Sequence, residues 1–204
     1  ETDVLGMTLG IVKHSYLVDD ADSLPAIMEE AMELAQSGRP GPVWIDIPKD
    51  LLLADVSDAP FPRSEPREIS FPDLAEALTM LRAARKPILY SGGGISLAHA
   101  EDRFRTFAES AALPSVVTLK GIGNPGKHNP YNLGMLGMHG GYWTNMAVQN
   151  CDMLVAIAAR FDDRVTGDTS QFALKARGRI VHIDIDPSTI AKNVPADVPI
   201  VGDV

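Results

Sequence analysis

The sequence predicts an α/β protein: a doubly wound, mostly parallel sheet flanked by helices, preceded by a partial α/β domain. Two observations carry this. Short β-branched or apolar runs of strand length (Ile88–Tyr90, Ser115–Leu119, Met153–Ala159, Arg179–Ile185) alternate with stretches of helical apolar spacing. Two of these runs pass abruptly into glycine or charge, at Ser91-Gly92-Gly93-Gly94 and at Arg160-Phe161-Asp162-Asp163-Arg164. In open α/β sheets, ligands bind outside the carboxyl ends of the strands.

Residues 1–55 read as an incomplete α/β unit. Ile11–Val18 has the composition of a short strand. Asp22 or Ser23 is placed to cap a helix with Pro25 in its first turn, and Gly38 to stop it. Leu24, Ile27, Met28, Ala31, Leu34 and Ala35 form its apolar face. After the rigid turn Arg39-Pro40-Gly41-Pro42, Val43–Ile47 reads as a buried strand ending at Pro48-Lys49-Asp50. A helix and two short strands cannot bury a core alone, so the segment needs partners from elsewhere.

From Leu52 the composition shifts to Asp, Ser, Pro and Arg, and residues 56–69, with Pro60, Pro62 and Pro66, read as an interdomain linker. The domain of residues 70–204 opens on Ser70-Phe71-Pro72-Asp73, a capping-box pattern, before a helix with Leu74, Ala77, Leu78, Leu81 and Ala84 inward. A helix over about Ala98–Ala111 follows Ile88–Tyr90, with Ala100, Phe104, Phe107, Ala108 and Ala111 inward. Lys120–Asn132 reads as a loop, and Gly134, Gly137, Gly140 and Gly141 leave bare backbone that a neighbour can approach closely. Then come helix Tyr142–Asn150, strand Met153–Ala159, a short helix near Gln171–Ala176, strand Arg179–Ile185, a turn at Asp186-Pro187-Ser188 and strand Val198–Val201.

Composition excludes several classes. With a net charge of −9 and no Lys/Arg run, the chain lacks the basic footprint that nucleic acid requires. Its longest apolar run, Met153–Ala159, is too short to cross a bilayer. Cys151 is the one cysteine, so no internal disulfide or CxxC site is possible, and its place after Asn150 suits a buried structural thiol. The five histidines lack HExxH or Cys/His spacing, and Asp162-Asp163 lacks a third oxygen ligand, so no metal site is expected. No GxSxG elbow supports a serine triad. No targeting peptide is legible, and the opening on Glu1 without a methionine suits an excised piece.

Several patterns leave function open. Ser91-Gly92-Gly93-Gly94 suits either a pyrophosphate at a helix N-terminus or a tight turn with no ligand. The absence of an acidic residue about twenty positions on disfavours a nicotinamide site. Alternation puts His182, Asp184 and Asp186 on one face, as a ribose-binding strand end or a solvated one. Arg160, Asp162, Asp163 and Arg164 form either a self-neutralising cluster or a phosphate clamp. Arg39 and Lys49 are candidate ligands or plain loop cations; Met135 and Met138 fill a core or line an apolar channel.

LGMLGMHG (133–140) with ARFDDRVTG (159–167) resembles acetolactate synthase (acetohydroxyacid synthase), a thiamine-diphosphate enzyme family that also binds FAD. KHSYLV, SGRPGPVWIDIPKD, YSGGG, VHIDIDP and the terminal GDV extend the resemblance over nearly the whole chain. It implies the end of a pyrimidine-binding domain (1–55) and a central FAD-binding domain (70–204). Carried over by position, FAD meets Arg39, Gly93, Thr118, Leu119, Leu136, Gly137, Met138, His139, Arg160, Phe161, Asp162, Asp184, Ile185 and Asp203. Lys49, Met138, Asp163 and Arg164 match positions lining the substrate channel. Ala158 stands where many relatives have glycine, and its methyl is expected to crowd a cofactor slightly.

The resemblance further implies condensation of two pyruvates, or of pyruvate and 2-oxobutyrate, with loss of carbon dioxide. It implies a cytoplasmic homodimer or homotetramer, with a regulatory small subunit as a further partner. The activating glutamate and the motif for magnesium and thiamine diphosphate fall outside these residues, so no catalytic residue is assigned and the chain alone is expected to be inactive. Glyoxylate carboligase, pyruvate oxidase and a stand-alone nucleotide-binding module are the rival readings.

Overall fold

A computed structural model describes residues 2–57 and 72–204, which fall into two compact units divided between Ile69 and Ser70. Most of the expected linker, and Ser70 and Phe71 of the capping box, lie outside the described residues.

In the first unit, helix α1 (Val4–Thr8) starts at Asp3, whose Oδ1 accepts the Gly6 amide at 2.8 Å. Strand β1 (His14–Leu17), helix α2 (Leu24–Gln36) and strand β2 (Val43–Asp46) make a βαβ unit, with His14 beside Val43 and Leu17 beside Asp46 in parallel register. The cap of α2 differs from expectation. A 3-10 turn, Ala21–Ser23, runs straight into the helix, so Ser23 is already helical and bonds no helix amide. Capping moves back to Asp20, which is extended and accepts the Asp22 amide at 3.1 Å. The Lys13 ammonium donates to the carbonyls of Leu34 and Ser37 at the other end of α2, where a cation suits the helix dipole. Strand β2 is half-buried rather than buried, with Trp44 exposed alongside Leu17, Met28 and Met32. One helix over two strands leaves that apolar surface uncovered.

In the second unit, helix α3 (Ala75–Ala83) begins later than Ser70, with the Asp73 carboxylate accepting the Ala75 amide at 2.8 Å. Strand β3 (Pro87–Ser91) is followed by two helices, α4 (Gly94–Leu97) and α5 (Glu101–Ser110), where one was expected. The break is His99, at φ +52°, while the Ala100 amide reaches back to the Ile95 carbonyl at 3.0 Å. That is a glycine-type helix stop made without glycine. Phe104 and Ala108 point inward as expected, but Phe107 and Ala111 are exposed.

Strands β4 (Ser115–Val117) and β5 (Asn132–Met135) follow; β5 was expected as loop. It is an irregular edge strand pairing only with β4, and its Gly134 sits at φ +89°. Helix α6 (Tyr142–Asn150) and strand β6 (Met153–Ile157) precede helix α7 (Asp163–Thr166), a single turn that the charged cluster concealed. The expected helix near Gln171 is a 3-10 turn at Leu174–Ala176, entered through left-handed Ala173. Strands β7 (Ile180–Asp184) and β8 (Val198–Val201) complete the unit.

The sheet order is β5-β4-β3-β6-β7-β8, and every pairing is parallel. The chain winds outward from β3 to β5, returns to β6 beside β3, and winds outward the other way. The point of reversal therefore lies between β3 and β6. Alternation along the strands divides the core: Tyr90, Leu154, Ala156 and Ile180 face one side, and Leu89, Val155 and Val181 face the other with Ile95, Phe104 and Ala108.

Candidate functional site at the carboxyl ends of the strands

Parallel pairing puts all six strand ends along one edge. Ser91 lies beside both Val117 and Ile157, Ile157 beside Ile183, and Asp184 beside Val201. Gly93 (after β3), Thr118 and Leu119 (after β4), Leu136–His139 (after β5), Arg160–Asp163 (after β6), Asp184 and Ile185 (β7) and Asp203 (after β8) are thereby gathered from distant sequence positions. Arg39 and Lys49 belong to the first unit, where each is exposed, after α2 and β2 respectively.

At the reversal point the glycines serve close packing of the chain on itself. Gly92 and Gly94 commit their amides to the carbonyls of Ile157 and Ala158, at 2.9 and 3.3 Å. A Cβ on Gly92 would lie 1.8 Å from the Ala158 oxygen, and one on Gly94 2.5 Å from the Ala158 methyl. Buried Asn124 pins the turn from beneath, donating to Ser91 Oγ and the Gly92 carbonyl, both at 2.8 Å. Two of the three glycine amides are thus committed to the chain itself, and α4 is only one turn long. The Ala158 methyl faces Gly94, and Ala158 itself is left-handed at φ +50°, a conformation that favours glycine.

The loop after β6 divides its residues between solvent and core. Arg160 and Asp162 have half-exposed side chains joined by one long contact, 3.4 Å, too weak and too solvated to neutralise either group firmly. Phe161 between them is 1% exposed, left-handed at φ +53°, and set among the rings of Tyr90, His182 and Phe172 at 5.2, 5.0 and 5.9 Å. Its side chain is the loop's anchor. Asp163 and Arg164 open α7 with both side chains exposed.

The loop after β5 meets that helix. Met138 donates its amide to the Arg164 carbonyl at 2.8 Å, while Asn145 exchanges two hydrogen bonds with the Gly137 backbone, at 2.8 and 3.0 Å. The close approach expected at these glycines is made by the chain itself. A Cβ on Gly137 would stand 2.7 Å from the Arg164 oxygen, and one on Gly140 2.4 Å from the Met135 oxygen. Leu136 is buried, whereas Met138, His139 and, after β4, Leu119 are exposed.

At the end of β7, His182 and Asp184 are buried, contrary to the solvated reading. His182 accepts the Ala191 amide at Nδ1 (3.4 Å) and donates from Nε2 to the Ala159 carbonyl (2.8 Å), so the ring is neutral. Burial holds its pKa below the usual value, with the Ala159 hydrogen bond and Asp184 opposing. Asp184 accepts the Asp186 amide at one oxygen (2.9 Å), and Asp186 in turn accepts the Ser188 amide, holding the next turn. Cys151 is buried and donates to the Val148 carbonyl at 3.0 Å; burial, then Asp152, push its thiol up to about 11. No metal-binding group of three or more His, Cys, Asp or Glu occurs among the described residues.

A parallel sheet that reverses between β3 and β6, and whose strand ends hold a half-free guanidinium, acids and exposed apolar side chains, has the layout of a ligand-binding domain. Residues 74–204 match the family profile described as "Thiamine pyrophosphate enzyme, central domain". The chain belongs to the thiamine pyrophosphate enzyme family. Over its whole length it is 47% identical to the acetolactate synthase isozyme 2 large subunit of Escherichia coli and 44% identical to the acetolactate synthase of Arthrospira platensis. It is 41% identical to a probable acetolactate synthase large subunit of Methanococcus aeolicus. The chain spans 37%, 37% and 35% of those proteins, a little over a third of each. The second unit, to which that profile maps, is a six-stranded parallel sheet flanked by helices.

Sequence reasoning passed over three residues of this edge. Asn145 and Asn124 act through hydrogen bonds to backbone, and nothing in their spacing marks that. Tyr90 looked like an ordinary strand residue, yet it is fully buried and its hydroxyl has no hydrogen-bond partner among the described residues. A buried apolar strand offers no cue to where a ring's one polar atom ends.

Proposed function

We propose that the second unit holds FAD along the carboxyl ends of its strands, within the large subunit of an acetolactate synthase. One observation supports this most: six strand ends in a row present Arg160, Asp184, Asp203, Leu119 and Met138 together, and among the described residues the Arg160 guanidinium is held by a single 3.4 Å contact. The fit is chemical. A planar guanidinium suits phosphate or the face of a flat ring, and carboxylates at neighbouring strand ends suit ribose hydroxyls. The unpartnered Tyr90 hydroxyl beneath the Arg160 loop marks a site with unused hydrogen-bonding capacity. Gly93, Thr118, Leu136, Gly137, His139 and Ile185 belong to this row as backbone or apolar contacts; Phe161 and Asp162 belong to it through the loop. Arg39, in the first unit, enters this reading through the family resemblance alone.

Bound FAD would supply a rigid flat ring and a diphosphate, with no net redox chemistry in the overall reaction. The residues here bind and orient; none is assigned a proton transfer. In this reading residues 1–55 close a pyrimidine-binding domain, and thiamine diphosphate and Mg2+ are held mostly outside the chain. Met138, Asp163 and Arg164 line the path of 2-oxo acids, which the whole enzyme condenses with loss of carbon dioxide, and Lys49 is matched to that path by the family resemblance alone. The assembly is a cytoplasmic dimer or tetramer able to take a regulatory subunit. The test is an FAD titration of the full-length protein followed by flavin fluorescence. Arg160→Ala is expected to weaken binding at least tenfold, the scale of a lost charge-assisted contact of about 1.5–3 kcal/mol. Unchanged affinity would remove Arg160 from the site.

A further inference from the structure

We propose that Tyr90 is a positioning residue for the loop Ala158–Asp163: its hydroxyl donates to the Asp162 carboxylate once Arg160 is drawn onto a bound anionic ligand. The inference rests on the ligand reading given above and assigns a role to a residue outside that row.

Tyr90 lies near the end of β3, flanked in register by Val116 and Ala156, and is 0% exposed. Its ring packs against Phe161, and its hydroxyl has no hydrogen-bond partner. A buried hydroxyl left without a partner is destabilising. A phenylalanine would fill nearly the same space without that penalty, so the oxygen calls for a use beyond packing.

Along the adjacent loop every backbone carbonyl from Ala158 to Asp163 already accepts at least one hydrogen bond. The Ala158 carbonyl takes the Gly94 amide, the Ala159 carbonyl takes His182, and those of Arg160 and Phe161 take the Asn193 side chain. The Asp162 carbonyl takes the amides of Val165 and Thr166, and the Asp163 carbonyl takes Gly167. The Asp162 carboxylate is different: its one side-chain partner among the described residues is Arg160, at 3.4 Å. Both charges act on the phenol. Burial first, then Asp162, raise its pKa far above the usual value, and Arg160 opposes them.

The loop has the means to rearrange. Phe161 is fixed by three rings and by Asn193, while its neighbours Arg160 and Asp162 are half exposed, and Ala158 and Phe161 both hold left-handed backbone. An anion or flat ring that takes up the guanidinium removes the one long contact of the Asp162 carboxylate among the described residues. A buried donor already waiting beneath supplies a replacement, and a charged acceptor makes that hydrogen bond one of the stronger kind. Occupancy of the site and the shape of the loop then become one event.

The test uses full-length protein and FAD as the probe, with Tyr90→Phe, Asp162→Asn and the double variant. Thermal midpoints without FAD are read alongside, and Tyr90→Phe is expected to match or exceed the wild type there, since it removes an unpaired donor. Its FAD dissociation constant is expected to rise about tenfold, as for loss of a hydrogen bond to a charged group. The double variant is expected to bind no more weakly than Asp162→Asn alone, because both changes remove the same interaction. A merely structural role would lower the midpoint without this coupling. If wild type binds FAD and Tyr90→Phe binds equally well, or the two effects add, the role of Tyr90 is overturned while the flavin reading stands. If wild type does not bind FAD, both fall.

Discussion

Met138 donates its backbone N–H to the carbonyl of Arg164 at 2.8 Å, tying the loop after β5 to the helix after β6. Those strands are separated in the sheet by β4 and β3, a span of about 14 Å at ~4.8 Å per strand. The bond therefore bridges the carboxyl ends of the two strands between and fixes where exposed Met138 and His139 stand. Gly137 permits it: a Cβ there would lie 2.7 Å from the same carbonyl, and its φ is +99°.

Gly137→Ala is accordingly expected to part the two loops. Left-handed backbone costs alanine roughly 1–2 kcal/mol before any clash is counted. Hydrogen exchange at the Met138 amide should accelerate well beyond that of the β6 amides, whose ladder the substitution does not touch. Equal protection of Met138 in both proteins would show that the bridge does not depend on the glycine.

Ala158 makes the opposite case. It holds φ +50° at the reversal point with its methyl against Gly94. Ala158→Gly is expected to raise stability by about 0.5–1 kcal/mol, the left-handed penalty exceeding the lost contact and the added freedom of the unfolded chain. Gly92→Ala, whose Cβ would stand 1.8 Å from the Ala158 oxygen, is expected to prevent folding of this unit. Denaturant midpoints decide both; a less stable Ala158→Gly protein would mean that the methyl's packing outweighs its backbone strain.

How much of this edge was legible follows from what makes each part. Helix Tyr142–Asn150 and strand Val198–Val201 were readable to the residue, because periodicity and the turn residues beside them agree. The break between α4 and α5 was not, since His99 occupies a left-handed helix stop that sequence signals reserve for glycine. Edge strand β5 was missed because Asn132-Leu133-Gly134-Met135 is four residues long, carries a glycine and has no β-branched residue, and its pairing with β4 makes it a strand. The strand-end charges at Arg160 and Asp184 stood out in sequence, but their unequal burial did not: it depends on Phe161 and His182 packing together.

His182 gives the unit a predictable response to acid. Its folded pKa is lowered by burial, while in the unfolded chain it titrates near the usual value of about 6.5. Between the two values the unfolded state binds more protons, so stability rises with pH across that window. It is fully present above about pH 6.5 and is lost as pH falls toward the folded pKa, by at most about 1.4 kcal/mol per pH unit for one proton. Protonation would put a second N–H at Nδ1, facing the Ala191 donor. In His182→Gln the thermal midpoint should be lower at neutral pH but flatter between pH 7 and 5; an unchanged slope would assign the acid response to other groups.

Cys151 tests the core at the opposite ends of the strands. It caps α6 just before β6, is 1% exposed, and keeps its thiol proton on the Val148 carbonyl. With burial and Asp152 pushing the pKa to about 11, the thiolate that reacts with disulfide reagents is scarce at pH 8. Access is the second barrier, since a reagent reaches the sulfur only when the end of α6 lifts from the sheet. A chromogenic disulfide is therefore expected to titrate no thiol in the native chain over minutes and one thiol after denaturation. The native rate should follow global stability through the denaturant series, because Cys151 lies in the same core cluster as Tyr90, Leu154 and Phe161. Rapid native labelling would mean instead that α6 opens locally, and that the loop positioned by Asn145 opens with it.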